Sequence, residues 1–356
     1  MSENKIRIGI SQGDFNGIGM EVILNTLSDS SLCEICTPVL FSSSKTIGFH
    51  RKALNMEEVN FHPVRDFKQL HTKKPNLFIC HEEEAVIEIG KPSPVAGKYA
   101  LLSLEKACEA LKNNDIDVLV TAPIDKNTIQ NDQFKFAGHT EYLANKFGSK
   151  PEDALMLLCS ENIRVGLVTG HIPIGKISSS ITKEKIVFKI KQLIKSLQQD
   201  FNIRKPKVAV LALNPHAGDN GTIGNEDQSI VQPAIDELKD KHLVYGPYPA
   251  DAFFGKAMHF KFDGVLAMYH DQGLIPFKSM AFYDGVNYTA GLPVVRTSPD
   301  HGTAYDIAGQ GVADATSFKQ AIYMAIDIFK NRKLNEEISE NPLPFSKIRK
   351  EERERN

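Results

Sequence analysis

Short apolar runs recur along the chain at 6–10, 38–41, 77–80, 117–121, 164–169, 207–213 and 264–268, each closed by glycine or a polar cluster. Runs of this length, rich in Val, Ile and Leu, predict buried strands. Between several of them the apolar positions change to a helical period, at 97–112, 182–199 and 230–241. Further helices are expected from Met20 and from the segment GHTEYLANKF. The alternation is that of α/β units, which predicts parallel strands covered by helices on both faces and ligand groups gathered in the loops beyond the strand ends.

The unusual polar clusters fall where that architecture would place a site. SQGDFNGIG, TAPIDKN, TGHIPIG, LNPHAGDNGTIG and MYHDQGLIPFK each directly follow an apolar run. Polar residues at the mouths of several strands mark an active site better than any one such loop. A domain division is expected near Gly138, where a fresh helix follows a loop.

With 356 residues, 42% of them hydrophobic, the chain can bury a large core and is long enough for two domains. Lys plus Arg number 42 against 44 Asp plus Glu, so no overall field recruits nucleic acid or an anionic membrane. The five cysteines, Cys33, Cys36, Cys80, Cys108 and Cys159, are odd in number and scattered, which fits a reducing compartment better than a disulfide framework. Cys33 and Cys36 are read as small half-buried side chains. The opening MSENKIRIGIS lacks an export pattern, and no apolar run approaches the roughly 20 residues that span a bilayer. A cytoplasmic protein is expected, ending in a solvated helical tail, KIRKEERERN.

Two glycine-rich segments invite nucleotide readings that their spacing rejects. Gly13, Gly17 and Gly19 give G-x-x-x-G-x-G, not the dinucleotide fingerprint G-x-G-x-x-G. They build either a structural turn or a loop bordering the site. Gly90 to Lys98 has six residues between its glycines and Tyr99 where a P-loop needs a hydroxyl for magnesium, so it reads as a turn into the next helix.

His171, His216 and His270 each lie in a strand-end loop. Three imidazoles so placed can converge on a divalent ion, or merely satisfy loop hydrogen bonds. Asp219, Asp251 and Asp271 could orient such rings or serve as turn and cap residues. His139, Thr140, Lys278, Asn287 and Arg296 are candidate anion contacts or ordinary surface groups.

Taken in order, SQGDFNGIG, TAPIDK, GHTEYLA, TGHIPI, LNPHAGDNGTIG, GPYPADAFF, YHDQGLIPFK and GLPVVRTSPDHGTAYDIAG resemble the 4-hydroxythreonine-4-phosphate dehydrogenase family over nearly the full chain. The last motif also resembles the nucleotide-side segment of isocitrate and isopropylmalate dehydrogenases. The resemblance implies an isocitrate/isopropylmalate dehydrogenase-like fold of two α/β domains, not a conventional Rossmann fold. Residues 1–137 and 290–356 would form the cofactor-side domain, and 138–289 the metal-binding and dimerising one. It implies His171, His216 and His270 as ligands of one divalent metal (zinc, magnesium or cobalt), with Asp251 nearby and His270 supplied across a homodimer. His139, Thr140, Lys278, Asn287 and Arg296 would bind substrate, and His301, Gly302, Thr303 and Ala304 would lie on the NAD side.

The implied reaction is NAD-dependent oxidation of 4-phospho-hydroxy-L-threonine to 2-amino-3-oxo-4-phosphooxybutanoate, then decarboxylation to 3-amino-2-oxopropyl phosphate, in vitamin B6 synthesis. The chain departs from the family pattern at Phe15, Asn16 and Met20, where GDPAGIGPE is usual, and at Gln310, where threonine commonly precedes the final glycine. Dehydrogenation of threonate or erythronate 4-phosphate is the nearest alternative. A metal-dependent hydrolase and a non-catalytic binder of phosphorylated metabolites are more distant ones.

Overall fold

The computed structural model describes residues 5–130, 134–136, 138–148 and 150–341; the predicted KIRKEERERN tail lies outside them. All seven predicted strands form, as β1 (Ile6–Ser11), β2 (Cys36–Ser42), β4 (Asn76–Ile79), β5 (Val118–Thr121), β7 (Arg164–Leu167), β8 (Lys207–Leu211) and β10 (Gly264–Ala267). Five more join them: β3 (His62–Val64), β6 (Leu155–Cys159), β9 (Leu243–Tyr248), β11 (Val286–Ala290) and β12 (Arg296–Pro299). The twelve make one sheet in the order β3-β4-β2-β1-β5-β12-β11-β6-β7-β10-β8-β9.

The expected parallel pairing holds on both flanks and fails in the middle. β3, β4, β2, β1, β5 and β12 are mutually parallel, as are β7, β10, β8 and β9. Between these blocks β12–β11, β11–β6 and β6–β7 are antiparallel. The short link from β11 to β12 is of hairpin length and cannot hold the crossover that parallel strands require. Three reversals in succession leave the two parallel blocks pointing in opposite directions.

Helices cover the sheet for reasons visible in the sequence. Pro94–Lys112 starts on Ser93, whose Oγ accepts from the Ala96 amide at 3.1 Å, and buries Tyr99, Leu104, Ala107, Cys108 and Leu111. Lys183–Gln199 starts on Thr182 and buries Ile186, Ile190, Leu193 and Leu197 along one stripe. The helix expected at 230–241 is shortened to Gln232–Asp236 and preceded by a wide turn at Asp227–Val231. Pro233 lacks the amide that would continue the ladder. Among the described residues no helix is long and apolar enough to cross a membrane.

One buried polar knot fixes β11 against two helices. The Asp200 carboxylate accepts from Ser196 Oγ at 2.6 Å, Tyr288 Oη at 2.8 Å and Arg332 Nε at 2.7 Å, while Arg332 Nη2 donates to Tyr288 Oη at 2.8 Å. Asp200 is 2% exposed. Replacing it by alanine strands three donors, and Asp200→Ala is expected to lose about 3–5 kcal/mol of stability, read as a lower urea midpoint. An unchanged midpoint would show that the knot does not anchor the strand.

Candidate active site

A cleft of about 990 Å³ lies over the central strands. Its floor carries Arg296 and Ser298 of β12, Asn287 of β11 and Met156 of β6. One wall comes from the segments following β5 and β12, with Lys126, His139, Thr140, His301 and Gly302; the other follows β7 and β10, with His171, His270 and Lys278. Nine of the residues that the resemblance assigns therefore meet in one cavity, His139, Thr140, His171, His270, Lys278, Asn287, Arg296, His301 and Gly302, and the candidate Asp271 joins them. His216, Asp251, Thr303 and Ala304 do not line it.

Thr303 lies behind the wall because the first glycine loop grips it. Ile18 N donates to Thr303 O at 2.8 Å, and a Cβ on Gly17 would stand 2.5 Å from that same oxygen. Only glycine allows this approach. Tyr305 Oη donates to Asp14 at 2.8 Å and lies 3.2 Å from Asp125, and Glu21 accepts from the Gly309 and Ala313 amides at 3.2 and 2.8 Å. The SQGDFNGIG loop thus holds the wall without forming part of it. His301 Nδ1 donates to Gly302 O at 3.1 Å, which fixes its tautomer and leaves Nε2 free to accept.

Arg296 is 3% exposed, with Nε and Nη2 donating to Thr121 Oγ1 at 3.1 and 2.6 Å and Nη1 to Thr289 Oγ1 at 3.1 Å. Burial pulls its pKa down to about 10, which still leaves it charged at neutral pH. His139 is held neutral: burial, then the positive charges of Arg296 and Lys126, push its pKa well below the ordinary imidazole value. His139 Nε2, Asn287 Oδ1 and His301 Nε2 are buried without a hydrogen-bond partner. Each such atom costs about 1–3 kcal/mol, and three in one cleft mark a place for a polar ligand.

Several lining residues escaped the sequence reading. Asp300 pairs with Lys278 at 3.4 Å while Lys278 Nζ donates to its backbone oxygen at 3.0 Å; burial raises the carboxyl pKa and Lys278 opposes the rise. Its position beside His301 was the available signal. Lys189 is buried, bonded to the Glu152 and Ala154 carbonyls at 2.8 Å each, with burial drawing its pKa to about 8. Its place in an amphipathic helix gave no warning.

The three loop histidines follow β7, β10 and β8, which are adjacent and parallel, so the topology sends them to one end of that block. Asp251 follows the next strand, β9. The His171 and His270 rings are 5.3 Å apart by centroid, and His270 Nδ1 donates to Asp271 Oδ1 at 2.7 Å, leaving Nε2 available. Burial, then Lys126 and His270, lower the His171 pKa. His216 is exposed on a left-handed run, with φ of 52°, 54°, 80°, 44° and 53° from His216 to Asn220. Such geometry costs about 1–2 kcal/mol per non-glycine residue and is held here by Asp227, which accepts from the Leu213 and Asn214 amides at 2.6 and 2.9 Å. Among the described residues of a single chain, no three His, Cys, Asp or Glu side chains form a complete metal site.

Residues 34–325 match the family described as pyridoxal phosphate biosynthetic protein PdxA. The chain belongs to this family. Within it, the 4-hydroxythreonine-4-phosphate dehydrogenase of Bacteroides thetaiotaomicron is 52% identical over 344 residues, covering 96% of this chain and 94% of the relative. A relative in Oceanobacillus iheyensis that carries D-threonate 4-phosphate dehydrogenase in its name is 37% identical over 333 residues, 92% of this chain and 99% of the relative. The crystal structure of the 4-hydroxythreonine-4-phosphate dehydrogenase from Klebsiella pneumoniae superposes with a TM-score of 0.78 at 31% identity, covering 92% and 98% of the two chains. The PdxA fold is therefore the fold of this chain.

The buried neutral His139 has a pH consequence. Below about pH 6.5 the unfolded ring binds a proton that the native ring excludes, so its contribution to stability falls as pH drops from there toward its depressed native pKa. A ring-nitrogen NMR titration of the folded protein should find His139 neutral at pH 6. Half-protonation near pH 6.5 would contradict the burial.

Proposed function

We propose that this PdxA-family chain is an NAD- and divalent-metal-dependent dehydrogenase that oxidises 4-phospho-hydroxy-L-threonine at its secondary alcohol. Loss of carbon dioxide from the resulting 3-oxo acid gives 3-amino-2-oxopropyl phosphate. The observation that carries this reading is the meeting of anion-binding Lys278 and Arg296, unsatisfied His139 and Asn287, and the close pair His171 and His270 in one cleft. The 52% identity with the Bacteroides enzyme supports it further.

The donor set fits a zinc- or cobalt-type ion, since two imidazoles face one another and Asp271 fixes the tautomer of one. His171, His216 and His270 would hold the metal, with Asp251 nearby. When bound, the ion supplies Lewis acidity at the alcohol and NAD the hydride acceptor. His270, expected from the opposite protomer, lies beside His171 in the same chain, so we read the exposed His216 as the ligand brought in across a homodimer. The exposed Ile174, Ile275, Phe282 and Tyr283, on segments that follow His171 and His270, support an interface there.

Lys278 and Arg296 hold the substrate's anionic groups, and His139 and Thr140 orient it from the opposite wall. Arg296 can do so with little reorganisation because Thr121 and Thr289 already fix its fork. The free Nε2 of His301 is an acceptor suited to an amine or hydroxyl of the dinucleotide, with Gly302 beside it and Thr303 and Ala304 packed behind. The proposed division into 1–137 with 290–356, and 138–289, is supported by the two parallel blocks, whose described strands fall one block on each side of it.

Replacing Lys278 or Arg296 by alanine removes a charge-assisted contact, and kcat/KM for the phosphorylated substrate should fall about 30- to 100-fold while NAD affinity changes little. Near-normal kcat/KM in both variants would refute their roles. His216→Ala should lower bound metal, measured by elemental analysis of the purified protein, together with turnover. Full metal content at a normal rate would remove His216 from the ligand set.

A further inference from the structure

The cleft is rich in positive charge, with Lys126, Lys185, Lys189, Lys278 and Arg296 all on its lining. Two of its carboxylates have partners: Asp271 receives the His270 ring and Asp300 the Lys278 ammonium. Glu152 stands by Lys189, which bonds its backbone oxygen. The Glu152 carboxylate itself is exposed and unpaired among the described residues; Glu141 is the more enclosed of the two. It is half-buried on the helix His139–Lys146, directly after His139 and Thr140, yet among the described residues its carboxylate accepts no hydrogen bond and makes no ion pair.

Its position is defined by Gly138, whose backbone is fully extended. A Cβ there would stand 3.7 Å from Glu141 Oε2 and 3.8 Å from Lys126 Cε. Glu141 and Lys126 thus border the same small space without closing on each other. No backbone amide of the helix donates to Glu141, so its carboxylate is not spent on capping. Its charge lies within electrostatic reach of Arg296 and His171; a carboxylate with no hydrogen-bonded partner repels phosphate and carboxylate, and in a cleft built for anions it suits a ligand that also carries a cation. The substrate of the proposed reaction has one such group, the ammonium on the carbon next to the reacting alcohol.

We propose that the Glu141 carboxylate receives the substrate's ammonium group and so makes this cleft select a phosphorylated hydroxy-amino acid over the matching phosphorylated hydroxy acid. This rests on the dehydrogenase reading above and adds the residue that decides between its two substrate classes. Phosphate, carboxylate and alcohol are common to both classes, so the residues that bind those groups cannot separate them. A carboxylate offered a hydroxyl in place of an ammonium keeps a hydrogen bond but loses the ion pair, which sets the direction of selection.

The test measures kcat/KM for 4-phospho-hydroxy-L-threonine and for erythronate and threonate 4-phosphate, with the full-length enzyme, divalent metal and NAD. The wild type should favour the amino acid. Glu141→Gln, nearly isosteric, should cut the ratio of amino-acid to hydroxy-acid kcat/KM by about tenfold or more, chiefly through a higher KM for the amino acid. Glu141→Asp, which keeps the charge, should fall between the two and serves if the glutamine variant fails to fold. A ratio within twofold of wild type, or parallel losses on all three substrates, would overturn the role of Glu141 while leaving the dehydrogenase reading intact. A wild type that turns over only the hydroxy acids, or none of the three, would overturn both.

Discussion

The cleft depends on a guanidinium buried where a sheet usually keeps hydrocarbon. Arg296 sits on the floor at 3% exposure, and its desolvation is tolerable only because hydroxyls from two neighbouring strands, Thr121 and Thr289, meet its nitrogens. That requirement explains why β11 and β12, VNYTA and RTSP, carry polar residues in the middle of the sheet. It also keeps a permanent positive charge at the base of a cavity with little freedom to move. The neutral state of His139 follows first from desolvation of its own ring and then from the same positive charge.

Around this floor the two parallel blocks do complementary work. The block containing β1, β5 and β12 supplies a wall made rigid from behind: Gly17 and Ile18 seat Thr303, Asp14 accepts from Tyr305, and Glu21 ties the following loop. The block of β7, β10, β8 and β9 supplies three histidines and Asp251 from successive strand ends. The antiparallel strands between them reverse the direction of one block relative to the other, so the cavity forms across the sheet face. A uniformly parallel sheet would have placed it along one edge.

Left-handed backbone is concentrated in the segment that carries His216, with isolated instances elsewhere such as Ala257 and Ala304. The left-handed run from His216 to Asn220 persists because Asp227 accepts the Leu213 and Asn214 amides that precede it. A segment held this way presents its imidazole in a fixed direction, outward from a single chain. In the cleft itself, Asn287 Oδ1 and His301 Nε2 are buried and unsatisfied. Their cost of desolvation is offset only when something polar enters.

The sequence by itself determined the α/β character, seven of the twelve strands, and the principal helices, because apolar periodicity is a local property set by burial of one face or two. Its motifs also brought forward nine residues that the fold gathers into one cavity, although they are separated by as much as 163 positions, from His139 to Gly302. Tertiary structure alone decided the rest. β11 and β12 are not among the predicted strands, since VNYTA and RTSP become strands only where Thr121 and Thr289 meet Arg296 and the Ala321 carbonyl accepts from Thr297. The role of the first glycine loop as a seat for Thr303 and the partnering of Lys278 by Asp300 join residues far apart in the chain. So does the placing of Glu141 near Lys126, Arg296 and His171. Hydrogen bonds and charge pairs of this kind depend on distances of a few ångströms between remote segments, and no pattern along the chain encodes them.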